Sequence, residues 1–201
     1  MTGTGSGAAG AGRRRPARER LLAAAARRFY ADGVAATGID TITAEAGVAK
    51  MSLYNNFASK AELVGAYLDA RHEEWLGLYR ARLEQADGPR AGVLAVFDAY
   101  ADHAAFAYEQ GFRGCGLLNA AAELPARDQG RAVVRRHKEE VERLIADHLA
   151  ELLPEQPDRA RELAEHLAFL LEGAMARAGL EGDGARVQRA RTLAESLLDT
   201  L

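Results

Sequence analysis

The five prolines, Pro16, Pro89, Pro125, Pro154 and Pro157, all fall between stretches whose apolar residues recur at helical spacing. Proline lacks an N–H and its ring collides with the preceding turn, so it marks helix ends. No stretch alternates apolar and polar residues with the period of two that a half-buried strand needs. The chain is therefore expected to be all-α, with about nine helices. Pro16 to Asp32 stops at Gly33, Ile39 to Ala46 stops at Gly47, and a short helix lies within Val48 to Phe57. Ser59 and Glu62 have the spacing of a capping box, opening a helix that runs to about Gln85. The later segments are Pro89 to Glu109, Leu117 to Leu124, about 128–153, 158–178 and Ala185 to Leu201.

With 201 residues there is enough chain for one substantial core, or for a small module joined to a larger one. No apolar run reaches the roughly 18 residues of a membrane span, and the arginines near the N-terminus precede no apolar signal region. Cys115 is the single cysteine, so no intramolecular disulfide forms and the cytoplasm is the expected compartment. Residues 1–12 contain five glycines and no large apolar side chain beyond Met1, and residues 1–15 are expected to be a disordered basic arm.

A net charge of −3 argues against a polyanionic partner until its distribution is considered. Residues 1–64 hold nine Lys+Arg against five Asp+Glu, a balance of +4, which leaves 17 against 24, or −7, for residues 65–201. A basic quarter on an acidic body is the asymmetry of a local polyanion site.

Within that quarter, Leu53 is surrounded by Lys50, Met51, Ser52, Tyr54, Asn55 and Asn56. With Leu53 inward and 100° per residue, Met51 and Asn55 face outward, at about 160° and 200°. Lys50 and Tyr54 fall along one flank, Ser52 and Asn56 along the other. One narrow ridge between two lines of hydrogen-bonding groups suits a DNA major groove, ridge to base edges and flanks to phosphates. Ile42, Ala46, Gly47, Val48 and Leu53 have the spacing of a helix-turn-helix, with Gly47 in the turn. Thr43 stands where a small alanine is common at the helix crossing, which predicts a slightly wider contact.

These features make Arg18 to Val64 resemble the DNA-binding domain of the tetracycline-repressor-like (TetR) family. The likeness rests on "ARRFYADGVAATGID" and on "ITAEAGVAKMSLYNNFASKAELV", with its Gly-Val, Leu-Tyr, Phe and Ser-Lys-x-x-Leu elements. The resemblance implies a homodimeric repressor of a palindromic operator, whose C-terminal body binds a small molecule and thereby releases DNA. It implies phosphate contacts at Thr37, Tyr54 and Lys60, the last at a helix N-terminus that also favours anions. Met51 occupies a position often held by glycine, where backbone approaches the groove. The expected division is a helix-turn-helix domain over 16–62 and a ligand-binding and dimerisation domain over 63–201.

In the body, Val187, Ala190, Ala194 and Leu197 recur at steps of three and four, as do Leu163, Leu167, Leu170 and Ala174. With Gly173, Ala176, Ala178 and Gly179 permitting close approach, the last two helices are expected to pair with a second copy, intrachain packing being the alternative. Trp75, Tyr79, Phe97, Tyr100, Phe106 and Phe169 exceed what simple bundle packing needs. With His103, Asn119, Glu172 and Arg177 as polar anchors, they predict a site for a mid-sized, largely apolar ligand.

Cys115 has Arg113 nearby in sequence but no His or Lys, so an inert apolar role is expected over a redox- or electrophile-sensing one. His137 and His148 share a helix face but are eleven residues apart, about 16 Å, too far to share a metal ion. None of Ser6, Ser52, Ser59 or Ser196 stands in a nucleophile motif, and no strand leads into a phosphate-binding loop. Neither an enzyme nor a cofactor is indicated. The rival from another class is a helical interaction protein that does not bind DNA.

Overall fold

The computed structural model describes residues 8–106 and 109–201, with side chains from Pro16 onward. Among the described residues there are nine helices and no strand. They are α1 (Ala8–Asp32), α2 (Ile39–Ala46), α3 (Lys50–Tyr54), α4 (Lys60–Leu83), α5 (Gly88–Ala104), α6 (Gly116–Glu123), α7 (Gln129–Leu152), α8 (Pro157–Glu181) and α9 (Ala185–Leu198).

Two boundaries depart from the sequence expectation. α1 begins at Ala8, so Pro16 lies inside the helix rather than in its first turn. Ala8, Ala9, Ala11 and Arg13 to Arg15 are strong helix formers, enough to carry the helix back past the proline. Residues 1–7 and the side chains of Arg13 to Arg15 lie outside the described residues. α5 stops at Ala104 instead of Glu109, and Ala107 and Tyr108 also lie outside the described residues.

The short helices are set by local chemistry. Gly47, in the left-handed region at φ 62°, closes α2, and the Gly47 and Val48 N–H groups donate to Ala44 and Thr43 carbonyls at 3.2 and 3.0 Å. The Thr43 hydroxyl is absorbed by the Asp40 carbonyl at 3.1 Å, so it packs at the helix crossing without an unmet polar group. At the start of α4 the Ser59 hydroxyl accepts from the Glu62 N–H at 3.1 Å, while the Glu62 carboxylate reaches past Ser59 to the Ala58 N–H at 2.6 Å.

α4 runs unbroken from the helix-turn-helix into the body, burying Leu63, Tyr67, Leu68, Trp75 and Tyr79. α5 is the central element. Val93, Val96, Phe97 and Ala99 are fully buried, between α4, α7 and α9. The apolar core is continuous from Leu21 and Ile42 through Tyr67 and Phe97 to Leu198.

The seam expected to face a second copy lies within the chain. Leu167, Val187 and Ala194 are fully buried and Ala190 nearly so, because α9 packs on both α5 and α8. Leu170, Ala174 and Leu197 are half-buried against the same core. Gly179 is likewise spent internally. A Cβ there would stand 2.7 Å from the Arg113 carbonyl oxygen and 2.8 Å from Gly114 Cα, and Gly114 itself has φ 81°. The loop before α6 therefore rests backbone to backbone on α8.

Candidate nucleic-acid interface and cavity

The helix-turn-helix is held by α1, whose Leu21, Ala24, Ala25 and Phe29 join Ile42, Ala46, Leu53 and Phe57 in the core. Glu45 of α2 ties the pair together electrostatically, engaging both Arg27 and Arg28 of α1. Burial opposes the Glu45 charge, but the two guanidinium groups still hold its pKa below the usual carboxylate value. With Leu53 fully buried, Met51 is 69% and Tyr54 46% exposed, and Asn55 is exposed at the C-cap of α3. This outward ridge is the surface the helix offers.

The flanks are less free than their spacing suggested. Asn56 Nδ2 turns back to the Ser52 carbonyl at 2.7 Å, closing its own helix. Lys50 stands 2.8 Å from Asp40, and that hydrogen bond raises its pKa; the pair is exposed, so exchanging Asp40 for a phosphate costs little. Lys60 Nζ is 3.5 Å from the Ala35 carbonyl, at the first residue of α4.

Thr37 is a correction. It is only 2% exposed, and its hydroxyl donates to the Gly33 carbonyl at 2.6 Å. It locks the α1–α2 turn, with its hydroxyl directed to the backbone. Polar residues beside a glycine turn commonly serve the backbone in this way.

A cavity of about 600 Å³ opens between α1, α4, α5, α6, α7 and α8. Of the side chains expected to meet a ligand, Trp75, Tyr100, His103 and Phe106 line it. The others are elsewhere. Tyr79 stacks behind Trp75, ring centroids 5.7 Å apart, with its hydroxyl 2.7 Å from His148 Nε2. Phe97 is sealed in the core, and Asn119 donates to the Arg113 carbonyl at 2.9 Å. Phe169 is 66% exposed on the outer side of α8, and Glu172 pairs with Lys138 at 2.7 Å.

The sequence reading missed most of the wall. Ala23, Ala26, Arg27, Tyr30 and Ala31 of α1 line the cavity, as do Arg71, Cys115, His137 and Met175. Alanines where larger side chains would fill space are what leave room there, and the run "LLAAAA" was the available signal. Tyr30 also anchors the loop before α6, accepting from the Arg113 N–H at 2.6 Å and donating to the Gly114 carbonyl at 3.2 Å.

A buried polar chain runs inward from the wall. His72 Nδ1 and His137 Nδ1 are 2.8 Å apart, and the Tyr100 hydroxyl lies 3.3 Å from both His137 Nε2 and Lys138 Nζ. Lys138 also donates to Cys115 Sγ at 3.6 Å, so the cation absent from the local sequence arrives from α7. Burial works against the Lys138 charge, but Cys115, Tyr100 and Glu172 hold its pKa above the usual lysine value. Burial, then the Lys138 charge, keeps His137 neutral; burial, then Arg71 and Lys138, pushes His103 down to about 4.

A buried helical hairpin presenting an exposed ridge, joined by one long helix to an all-α body with a cavity, defines a DNA-binding regulator of the helix-turn-helix class. Residues 21–67 match the model of the bacterial regulatory proteins of the tetR family. Over 64 residues the chain is 45% identical to the HTH-type transcriptional regulator TtgR of Pseudomonas putida, a match spanning 32% of this chain and 30% of that protein. The solved structure of SCO4454, a TetR-family transcriptional regulator from Streptomyces coelicolor, is 32% identical, with a TM-score of 0.81 over 92% of this chain and 96% of that one. The regulatory protein TetR from Rhodobacter sphaeroides is 25% identical, with a TM-score of 0.74 over 90% and 97%. The chain belongs to the TetR family of transcriptional regulators and is not an enzyme. No helix among the described residues is long and apolar enough to cross a membrane.

Proposed function

We propose that the protein is a cytoplasmic, homodimeric repressor that leaves a palindromic operator when a small, mostly apolar molecule fills the cavity. The observation that carries this is the ownership of the cavity wall. α1 belongs to the helix-turn-helix end and α4 begins there, and both line the cavity through Tyr30, Arg71 and Trp75. A ligand there bears directly on the helices that position the DNA reader, so the expected split at residue 62 is a division of roles over one shared core. In this reading Met51 and Asn55 meet base edges, while Lys50, Ser52, Tyr54 and Lys60 meet phosphates.

A two-fold operator needs two readers, and the outer side of α8 supplies a face to pair. Phe169 and Leu180, 66% and 89% exposed, share it with Gly173 and Ala176, which leave room for close helix approach. This face replaces the buried seam of Val187, Ala190 and Ala194 as the dimer contact. The test is selection of genomic DNA fragments by the purified protein, followed by titration of candidate effectors. Trp75 is the only tryptophan, so its emission reports the cavity. Effectors that release DNA without changing that emission, and that bind equally well with operator present, would place the control site elsewhere.

A thiol-based response has one observation in its favour, the Lys138 donor at Cys115 within the cavity wall. Mass spectrometry after treatment with an alkylating electrophile, with Cys115→Ser as control, tests it. DNA release by the electrophile in Cys115→Ser as in the wild type would discard this reading.

A further inference from the structure

We propose that the cavity takes a planar aromatic acid, its rings against Trp75 and Tyr100 and its carboxylate at Arg71 and His103. The proposal rests on the cavity being the effector site and goes further by naming the ligand's chemistry.

The charge on the wall is one-sided. Among the described residues, Arg27, Arg71 and two imidazoles face the cavity against a single lining carboxylate, Glu109, which stands 3.5 Å from Arg28. The carboxylates that balance the other cations, Glu45, Glu74 and Glu172, are not part of the wall. Arg71 is the least satisfied of these cations. Its Nη1 lies 2.7 Å from Glu74 Oε2, yet that oxygen and the buried Arg71 Nε both lack a hydrogen-bond partner. A guanidinium binds carboxylates through paired N–H groups, so an incoming acid completes what Glu74 leaves undone. The Trp75 and Tyr100 rings, centroids 5.2 Å apart and tilted by 52°, form a corner for a flat ring system, and a cavity of about 600 Å³ is in the range that encloses such ligands.

His103 gives the proposal a second readout. Arg71 of α4 and His137 and Lys138 of α7 act on it, with Phe106 against its ring and Glu109 on the same wall. Burial and the two cations keep it neutral, its pKa down to about 4. An anion beside it opposes those cations, so binding draws in a proton.

Calorimetry on the full chain at pH 6.5 tests this with a matched pair of planar probes, 2-naphthoate and 2-naphthalenemethanol, in two buffers of different ionisation enthalpy. The acid should bind at least about tenfold more tightly than the alcohol. Arg71→Met should remove that advantage, so that acid and alcohol bind alike, with helical circular dichroism and a cooperative urea transition showing that the variant folds. Proton uptake should accompany the acid alone and vanish in His103→Gln. Equal binding of both probes would overturn the acid proposal and leave the effector cavity standing; binding of neither, with DNA still bound, would overturn both. A preference for the acid that survives Arg71→Met would overturn the placement of the carboxylate.

Discussion

The carboxylate of Glu123, the last residue of α6, accepts hydrogen bonds from the Val34 and Ala35 N–H groups at 3.1 and 2.6 Å. It fills the space that a side chain at Gly33 would need, since a Cβ there would lie 2.7 Å from Glu123 Oε1. The other end of α6 is cavity wall, through Cys115, Gly116 and Leu117. A helix of eight residues, about 12 Å long, thus joins the cavity to the turn between α1 and α2.

Glu123→Ala should therefore uncouple as well as destabilise. Loss of a charged acceptor for two N–H groups costs about 1.5–3 kcal/mol in unfolding experiments. Operator affinity should fall, and release should need more effector. Unchanged effector dependence in a destabilised variant would reduce this contact to a structural one.

For the exposed ridge of α3, Asn55→Ala should cost about 1–3 kcal/mol of specific binding and relax preference at one base pair per half-site. Lys60→Ala should instead weaken all DNA alike and lower the salt slope by about one. A selection experiment in Asn55→Ala that returns the wild-type motif would take Asn55 out of the readout.

Thr37 should behave as a fold residue. Thr37→Val leaves the Gly33 carbonyl without its donor and should lower stability by about 1–3 kcal/mol, with the salt dependence of non-specific binding unchanged. A reduced salt slope at full stability would restore the phosphate contact.

Pairing through the outer face of α8 separates two kinds of variant. Phe169→Glu and Leu180→Glu should yield folded monomers in sedimentation, because each puts a carboxylate into the proposed contact between copies. Val187→Ala, on the buried side of α9, should lower stability by about 0.5–3 kcal/mol and leave the dimer intact. Dimers of unchanged strength in both charged variants would move the interface off this face.

Acid should destabilise the unliganded protein through its buried imidazoles. Above pH 6.5 His103 is neutral in both folded and unfolded chains. Below that, the unfolded chain takes up a proton that the fold refuses down to about pH 4. Stability then falls as pH falls, approaching about 1.4 kcal/mol per pH unit for His103 below pH 6. His137, also held low by burial and the Lys138 charge, adds a slope of the same sign. Urea unfolding between pH 7 and 5 measures this, and His103→Gln should flatten it; an equal slope in that variant would exclude His103 as a source.

The parts legible in the sequence were those set by local chemistry. Gly47 as a turn, Ser59 and Glu62 as a cap, and Leu53 as the inward side of a short helix each depend on neighbours within one helical turn. The spacing of Val187, Ala190 and Ala194 was legible too, but spacing identifies a buried stripe without saying which helix covers it. α5 does, from a distant part of the chain. The cavity was harder still, because it is made by what is absent. Small side chains at Ala23, Ala26 and Ala31 leave space that only the packing of six helices turns into an enclosure. Lys138 reaches Cys115 across 23 positions of sequence for the same reason.

The meeting of α8 with the loop before α6 bears on how such a protein changes its specificity. Where Gly179 meets Arg113 and Gly114, main chain touches main chain, and any added side-chain atom must displace the loop that carries Cys115. The loop that leads into the cavity wall at Cys115 is thus pinned to α8, while the side chains of the wall itself are free to vary. New ligand preferences are open to substitution at Trp75, Phe106 or Met175, whose side chains line the cavity. Gly179 and Gly114 stand outside that freedom, as two positions where adaptation has almost nowhere to go.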